Sequence, residues 1–236
     1  MKESTSDYII GHFISRPNRF LGKVRIQDRE VDVFVPNPGR MNELLNPGKT
    51  VYLRKAAAKH RKTDYDMVAV KHEDLIVSID SNLPNRFMKK KLETHQLPFI
   101  NNYTSIKPEP SMYNGRFDFL LDGESGRTVI EVKSCTLVEQ GHTLFPDAPT
   151  KRGARHMLHL VKALSDGLVE NAMVVFVIQR PDAELFSPND PMDPNFGDAL
   201  RYAYENGVEV FAIRTKLVDW ELQYLGIVPV RLYHFK

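Results

Sequence analysis

Arg116-Phe-Asp-Phe-Leu-Leu121 and Thr128-Val-Ile-Glu-Val-Lys133 flank the turn Asp122-Gly-Glu-Ser-Gly-Arg127. The first segment alternates and carries aromatics, the second is rich in β-branched residues, and both read as strands around turn chemistry. An antiparallel hairpin centred between Glu124 and Ser125 sets Leu121 opposite Thr128, Leu120 opposite Val129, Asp118 opposite Glu131 and Arg116 opposite Lys133. The strand period then places all of these charged residues on one face. Leu120, Val129 and Cys135 flank them, while Phe117, Phe119, Ile130 and Val132 load the other face. A hairpin apolar on both faces belongs inside a sheet, where charges are expensive unless paired or coordinated.

Facing carboxylates about 5 Å apart repel by roughly 3 kcal/mol at an effective dielectric near 20. Two arrangements offset that. In a cross-strand quartet, Asp118 lies diagonal to Lys133 and Glu131 to Arg116, and the face is solvated. In a metal site, Asp118 and Glu131 share a divalent cation, and Lys133 orients water or neutralises developing charge, a recipe for phosphodiester hydrolysis. The residues alone leave both open.

At 236 residues, with 42% hydrophobic and 26% charged content, the chain has the composition of a soluble globular protein of one large domain or two small ones. The longest apolar run, Ala172 to Ile178, is far short of the roughly 20 residues that cross a bilayer, so no membrane association is expected. The first residues lack the apolar stretch of a signal peptide, and Cys135 is the only cysteine, so the expected location is cytoplasmic. A thiol beside Val and Ile reads as core. Net charge is only +2, but its distribution is uneven. Lys49 to Lys62, Arg86 to Lys91 and Lys151 to Lys162 are basic segments suited to phosphate, or else ordinary exposed loops.

The first third reads as short strands: Phe20 to Ile26, Glu30 to Val35, Val51 to Lys55, Met67 to Val70 and Leu75 to Ile79. Such spacing suggests an oligonucleotide-binding-type β-barrel over residues 1–83. Arg54, Lys55 and Arg61 are its candidate backbone contacts, with Tyr52 as a stacking platform or a core residue. The loop Pro36-Asn-Pro-Gly-Arg-Met41 is stiffened by its prolines, with Gly39 permitting a left-handed turn, and presents Asn37 and Arg40 or serves as a plain turn.

A second, α/β domain is expected over residues 84–236, making the protein α+β overall. Pro84 to Gln96 reads as a helix, Thr150 caps another running to about Ser165, Ala172 to Ile178 is a buried strand, and a helix from about Phe196 precedes a strand from Val208. Hairpin followed by α-β-α-β implies a mixed sheet. Arg180 to Asn195, rich in proline, reads as a lid or an ordered excursion. No Walker A loop, dinucleotide fingerprint, zinc spacing or Gly-x-Ser-x-Gly elbow is present, so nucleotide-dependent and serine-hydrolase chemistry rank low. Arg152, Arg155 or His156, and His159 recur at helical spacing as a basic face for phosphate, or as a solvated stripe.

Arg19-Phe-Leu21, the loop 36–41, Arg116-Phe-Asp-Phe119, Ile130-Glu-Val-Lys-Ser134, Phe145-Pro-Asp147, Arg152-Gly153 and His156 stand in an order and spacing that resembles the sugar fermentation stimulation proteins. The resemblance implies an oligonucleotide-binding-type barrel joined to a domain similar to the PD-(D/E)XK nucleases, with DNA as partner and RNA left open. In that pattern Asp118, Glu131 and Lys133 match the site residues, Asp118 and Glu131 as ligands of Mg2+ or Mn2+. Glu109 fits the upstream glutamate that often completes such sites. Phe117 departs from the motif, which has proline there. Catalysis, DNA binding without catalysis, and a protein-interaction module remain the readings to separate.

Overall fold

The computed structural model describes residues 8–56 and 61–233, so Lys59 and His60 of the first basic segment lie outside the described residues. The N-terminal unit contains β1 (Tyr8–Asn18), β2 (Leu21–Ile26), β3 (Arg29–Phe34), β4 (Thr50–Lys55), β5 (Tyr65–His72) and β6 (Leu75–Ser78). β1 pairs with β2 and β4, β2 with β3, and β4 with β5, while β3 meets β5 in parallel and so closes the ring. β6 extends the sheet beyond β5. This is a closed five-strand barrel of the oligonucleotide-binding type. Its core is built from alternate residues such as Val24, Val33, Val51, Leu53 and Met67, all fully buried.

β1 is absent from the sequence reading, and its chemistry explains why. Gly11 and Pro17 interrupt its pattern, and its pairing with β2 slips between Phe13 and Ser15 and again before Asn18. Gly11 is required by close approach: a Cβ there would lie 2.4 Å from the Val24 side chain. Bulges let one strand bend to serve two neighbours, at the cost of the alternation that reveals strands.

The C-terminal unit follows with α1 (Leu83–Glu93), β7 (Tyr103–Pro108), β8 (Ser111–Met112), β9 (Gly115–Arg116), β10 (Phe119–Gly123) and β11 (Gly126–Cys135). Then come β12 (Val138–Glu139), β13 (His142–Phe145), α2 (Lys151–Ser165), β14 (Asn171–Ile178) and β15 (Leu185–Pro188). The last elements are α3 (Pro194–Glu205), β16 (Glu209–Val218) and β17 (Glu221–Val228). The main sheet runs β17-β16-β14-β11-β10-β7, with β11, β14 and β16 parallel and the outer pairs antiparallel. α1 covers one face through Phe87, Met88 and Leu92. α2 and α3 cover the other through Met157, Leu160, Phe196 and Leu200. β14 lies between the two layers, which is why its sequence is a continuous apolar run. Thr150 caps α2 as its sequence predicts, its hydroxyl accepting from the Gly153 N–H at 3.0 Å. Residues 180–195 are an ordered excursion: β15 pairs with β13, and Asp193 caps α3 while accepting from the Thr150 N–H.

Candidate active site

The hairpin β10–β11 adopts the register read from the sequence, with Phe119 facing Ile130, Leu120 facing Val129 and Leu121 facing Thr128. Regular pairing stops there. Asp118 still donates its N–H to the Ile130 carbonyl at 3.2 Å, but the preceding residues turn away. Tyr113 and Asn114, both at positive φ, fold β8 and β9 into a separate small hairpin in which Arg116 pairs with Ser111. The expected facing of Arg116 and Lys133 is therefore lost, and with it the cross-strand quartet. Phe117 also changes side, packing in the core beneath α2 and α3 and not with Phe119 and Ile130. Its ring meets His156 edge-on at 5.9 Å.

Asp118 is fixed by two donors. Its Oδ1 accepts from the Asn85 side chain of α1 at 2.6 Å, and its Oδ2 from the Val132 N–H at 2.7 Å. Burial, reinforced by the charge of Glu131, pushes its carboxyl above the usual aspartate range against these donors and Lys133. Glu131 is 3% exposed. Burial pushes its carboxyl up, but Lys133 and His156 prevail and hold it below the usual glutamate range. Both bind the same oxygen: Oε1 meets the Lys133 ammonium and the His156 Nδ1, the latter at 2.5 Å. His156 Nε2 accepts from Arg152 Nε at 3.3 Å, which assigns the neutral ring's proton to Nδ1, where it is donated to Glu131. The other oxygen, Oε2, is buried without a hydrogen-bond partner among the described residues.

This donor set fits a hard divalent cation. Mg2+ and Mn2+ take one or two carboxylates and complete their shell with water and phosphate oxygens, and an orphaned Oε2 beside the half-buried carboxylate of Asp118 supplies such a pair. No cluster of three or more His, Cys, Asp or Glu side chains suited to a metal occurs among the described residues, so a ligand-rich zinc-type cage is not built here. Cys135 is buried core, its thiol pushed up by burial.

Beside Lys133 lies a cleft of about 330 Å3 with walls from both units. The barrel contributes Arg19 and Asn37 to Gly39; the second unit contributes Lys133, Ser134 and the stretch from Phe145 to Thr150. Arg16 clamps the barrel wall, its guanidinium donating to the carbonyls of Arg19, Asn37, Gly39 and Arg40. Asp147 reaches across to accept the Met41 N–H at 2.6 Å. Gly39 serves this approach, since a Cβ there would lie 2.9 Å from the Asp147 carboxylate. The left-handed residue of the loop is Met41, not Gly39.

The other expected residues are distributed as follows. Glu109 is at the surface, its carboxylate 2.8 Å from Arg116; only its N–H approaches the site, donating to the Asp118 carbonyl. The structure does not bring its side chain to the acidic pair. Asn37 is buried, donating to the Ile79 carbonyl and accepting from the Gly39 N–H, so it shapes the loop from behind. Arg40, Lys55, Arg152 and Arg155 are exposed. Arg61 pairs with Asp66 at 2.6 Å and lies over the Phe34 ring. Arg54 approaches the same Asp66 at 3.8 Å and Asp80 at 4.0 Å. His156 points inward to Glu131 and not out to solvent. Asn85, Arg16 and Asp147's reach to Met41 carry no signal in local sequence.

Similar proteins share the fold. The family model described as the sugar fermentation stimulation protein RE domain matches residues 82–221, and the SfsA N-terminal OB domain matches residues 14–79. The chain belongs to the sugar fermentation stimulation protein family. A homolog of that name from Clostridium perfringens strain 13 is 41% identical, over 93% of this chain and 95% of the relative. One from Clostridium botulinum strain Kyoto is 43% identical, over 88% and 90%. The structure of Pyrococcus furiosus SfsA in complex with Ca2+ superposes with a TM-score of 0.87 at 32% identity, covering 98% of each chain. No helix among the described residues of this family member is long and apolar enough to cross a membrane.

Proposed function

We propose that this protein binds nucleic acid, DNA foremost, and hydrolyses phosphodiester bonds with Mg2+ or Mn2+ at Asp118 and Glu131. The observation that carries the reading is the shared cleft: Arg19 and the clamped loop of the barrel form one wall, and Lys133 stands on the other. Oligonucleotide-binding barrels take their ligands on the β2–β3 face and the adjoining loops. Here that region holds Phe20, half-exposed and stacked near Phe34, with Arg61 above the Phe34 ring. A strand lying there has its phosphates steered by Arg19 toward Lys133.

Asp118 and Glu131 would hold the ion, with the Val132 carbonyl; such an ion supplies Lewis-acid polarisation of a phosphoryl oxygen and acidifies a bound water. The Ca2+ complex of the Pyrococcus furiosus relative supports a hard cation. Asn85 and the Val132 N–H orient Asp118, and His156 orients Glu131. The Lys133 ammonium positions the attacking water and stabilises the charge that accumulates on the phosphoryl oxygens.

Incubation with single- and double-stranded DNA and RNA, with Mg2+ or Mn2+ and then with chelator, tests the reading. Metal-dependent cleavage that falls by about 10²- to 10³-fold in Lys133→Ala is expected. Cleavage indifferent to Lys133→Ala contradicts it. A second reading, binding without turnover, is favoured by one observation: the Lys133 ammonium already pairs with Glu131, and His156 donates to it, without a metal. Binding that weakens steeply with salt, with no cleavage under any metal, would select it.

A further inference from the structure

A second cleft, of about 620 Å3, shares no lining residue with the first and opens between α1, β4 and the turn joining β16 to β17. Arg54, Arg86, Lys90 and Lys91 line it, and Trp220 forms part of its wall. Arg54 and Arg86 gather around buried Asp80, at 4.0 and 2.9 Å. Lys90 pairs with Glu221 at 2.6 Å, but both side chains are more than 60% exposed, so water screens the pair and an incoming anion can compete for the ammonium.

Trp220 is held unusually. Asp219 and Trp220 both take positive φ, 48° and 63°, in a two-residue hairpin turn whose favoured occupants are Asn or Asp followed by Gly. A bulky aromatic in that conformation is strained and persists only where its surroundings fix it. Tyr8 stacks on the indole at 3.5 Å, and Tyr52 meets it edge-on at 5.5 Å. The indole nonetheless stays partly exposed and lines the cleft. A braced aromatic wall facing several cations is the combination that binds a base by stacking and its phosphate by charge.

We propose that this cleft binds an unpaired nucleotide, the base against the indole face not covered by Tyr8 and the phosphate on Arg86, Lys90 and Lys91. The nucleotide belongs either to a single strand or to a free nucleoside monophosphate. For a strand, the inference rests on the nucleic-acid reading above; for a free nucleotide it does not.

Trp220 is the only tryptophan of the chain, so its emission reports this cleft alone. Two probes, a short single-stranded oligothymidylate and thymidine monophosphate, are titrated while emission is followed; the anisotropy of an end-labelled oligothymidylate is measured in parallel. Saturable quenching by at least one probe is expected, with half-saturation raised about tenfold or more in Lys90→Glu/Lys91→Glu. No quenching by either probe, or quenching indifferent to the charge reversal, overturns the proposal. Oligothymidylate that binds by anisotropy without quenching removes this cleft and leaves the barrel reading standing. Quenching by the monophosphate, with no oligothymidylate or other strand bound, keeps the cleft and removes that reading.

Discussion

At Glu131, one buried carboxylate oxygen meets Lys133 and His156; at Glu43, in the connection between β3 and β4, one carboxylate oxygen is buried with no hydrogen-bond partner among the described residues. Both acids sit next to another, half-buried carboxylate, Asp118 in the first case and Asp147 in the second. Their charges fare differently. Glu131 is held below the usual range by its two partners. Glu43 is pushed up to about 7 by burial, which its own backbone N–H and Arg180 only partly oppose, while Asp147 and Glu139 add to the rise. Asp147 is likewise raised by burial, despite the Met41 N–H and Arg16. The contrast shows that burial raises a carboxyl's hold on its proton, and that Glu131 stays below the usual range because Lys133 and His156 both act on it. One acidic pair is equipped for the cation proposed above; the other is part of the seam between barrel and sheet, where Asp147 accepts the Met41 N–H.

Removing a donor from the equipped pair should have the largest effect on the contrast. His156→Ala leaves Glu131 buried with one partner fewer and opens space beside Phe117, so a loss of about 1–3 kcal/mol is expected in urea unfolding, together with reduced cleavage. Unchanged stability and cleavage would mean that His156 does not hold Glu131. On the seam, Arg16→Ala leaves the cleft wall without its clamp, and about 1–2 kcal/mol of stability should be lost with weaker nucleic-acid binding at constant salt. Loss of stability with unaltered binding would separate the loop from the nucleic-acid surface.

The smallest effect concerns pH. The folded protein retains the Glu43 proton up to about 7, whereas the unfolded chain releases it near 4.5. Stability from this group is therefore fully present below about 4.5 and declines as pH rises to about 7. Glu43→Gln should flatten that decline in a series of thermal melts. An equal decline in the variant would show that Glu43 is not the group responsible.

How much of this was legible in sequence depended on the range of the interaction. The β10–β11 register, the Thr150 cap and the buried run of β14 follow from neighbouring residues and their period. Asp118, Glu131 and Lys133 stand out for the same reason, since two strands and one turn bring them together. Asn85 joins Asp118 from 33 residues away and Asp147 meets Met41 across 106, and neither has a local signature. The inward turn of His156 was hidden in a helix whose neighbouring basic residues do face solvent. Arg116 and Phe117 depart from the strand pattern because the tight turn at Tyr113 and Asn114 ends the alternation just before Asp118.

Calorimetric titration of Mn2+ tests the contrast most directly. The account predicts binding that Asp118→Asn/Glu131→Gln abolishes and Glu43→Gln/Asp147→Asn leaves in place. Mn2+ binding that survives Asp118→Asn/Glu131→Gln, or that is lost only with Glu43 and Asp147, would contradict it.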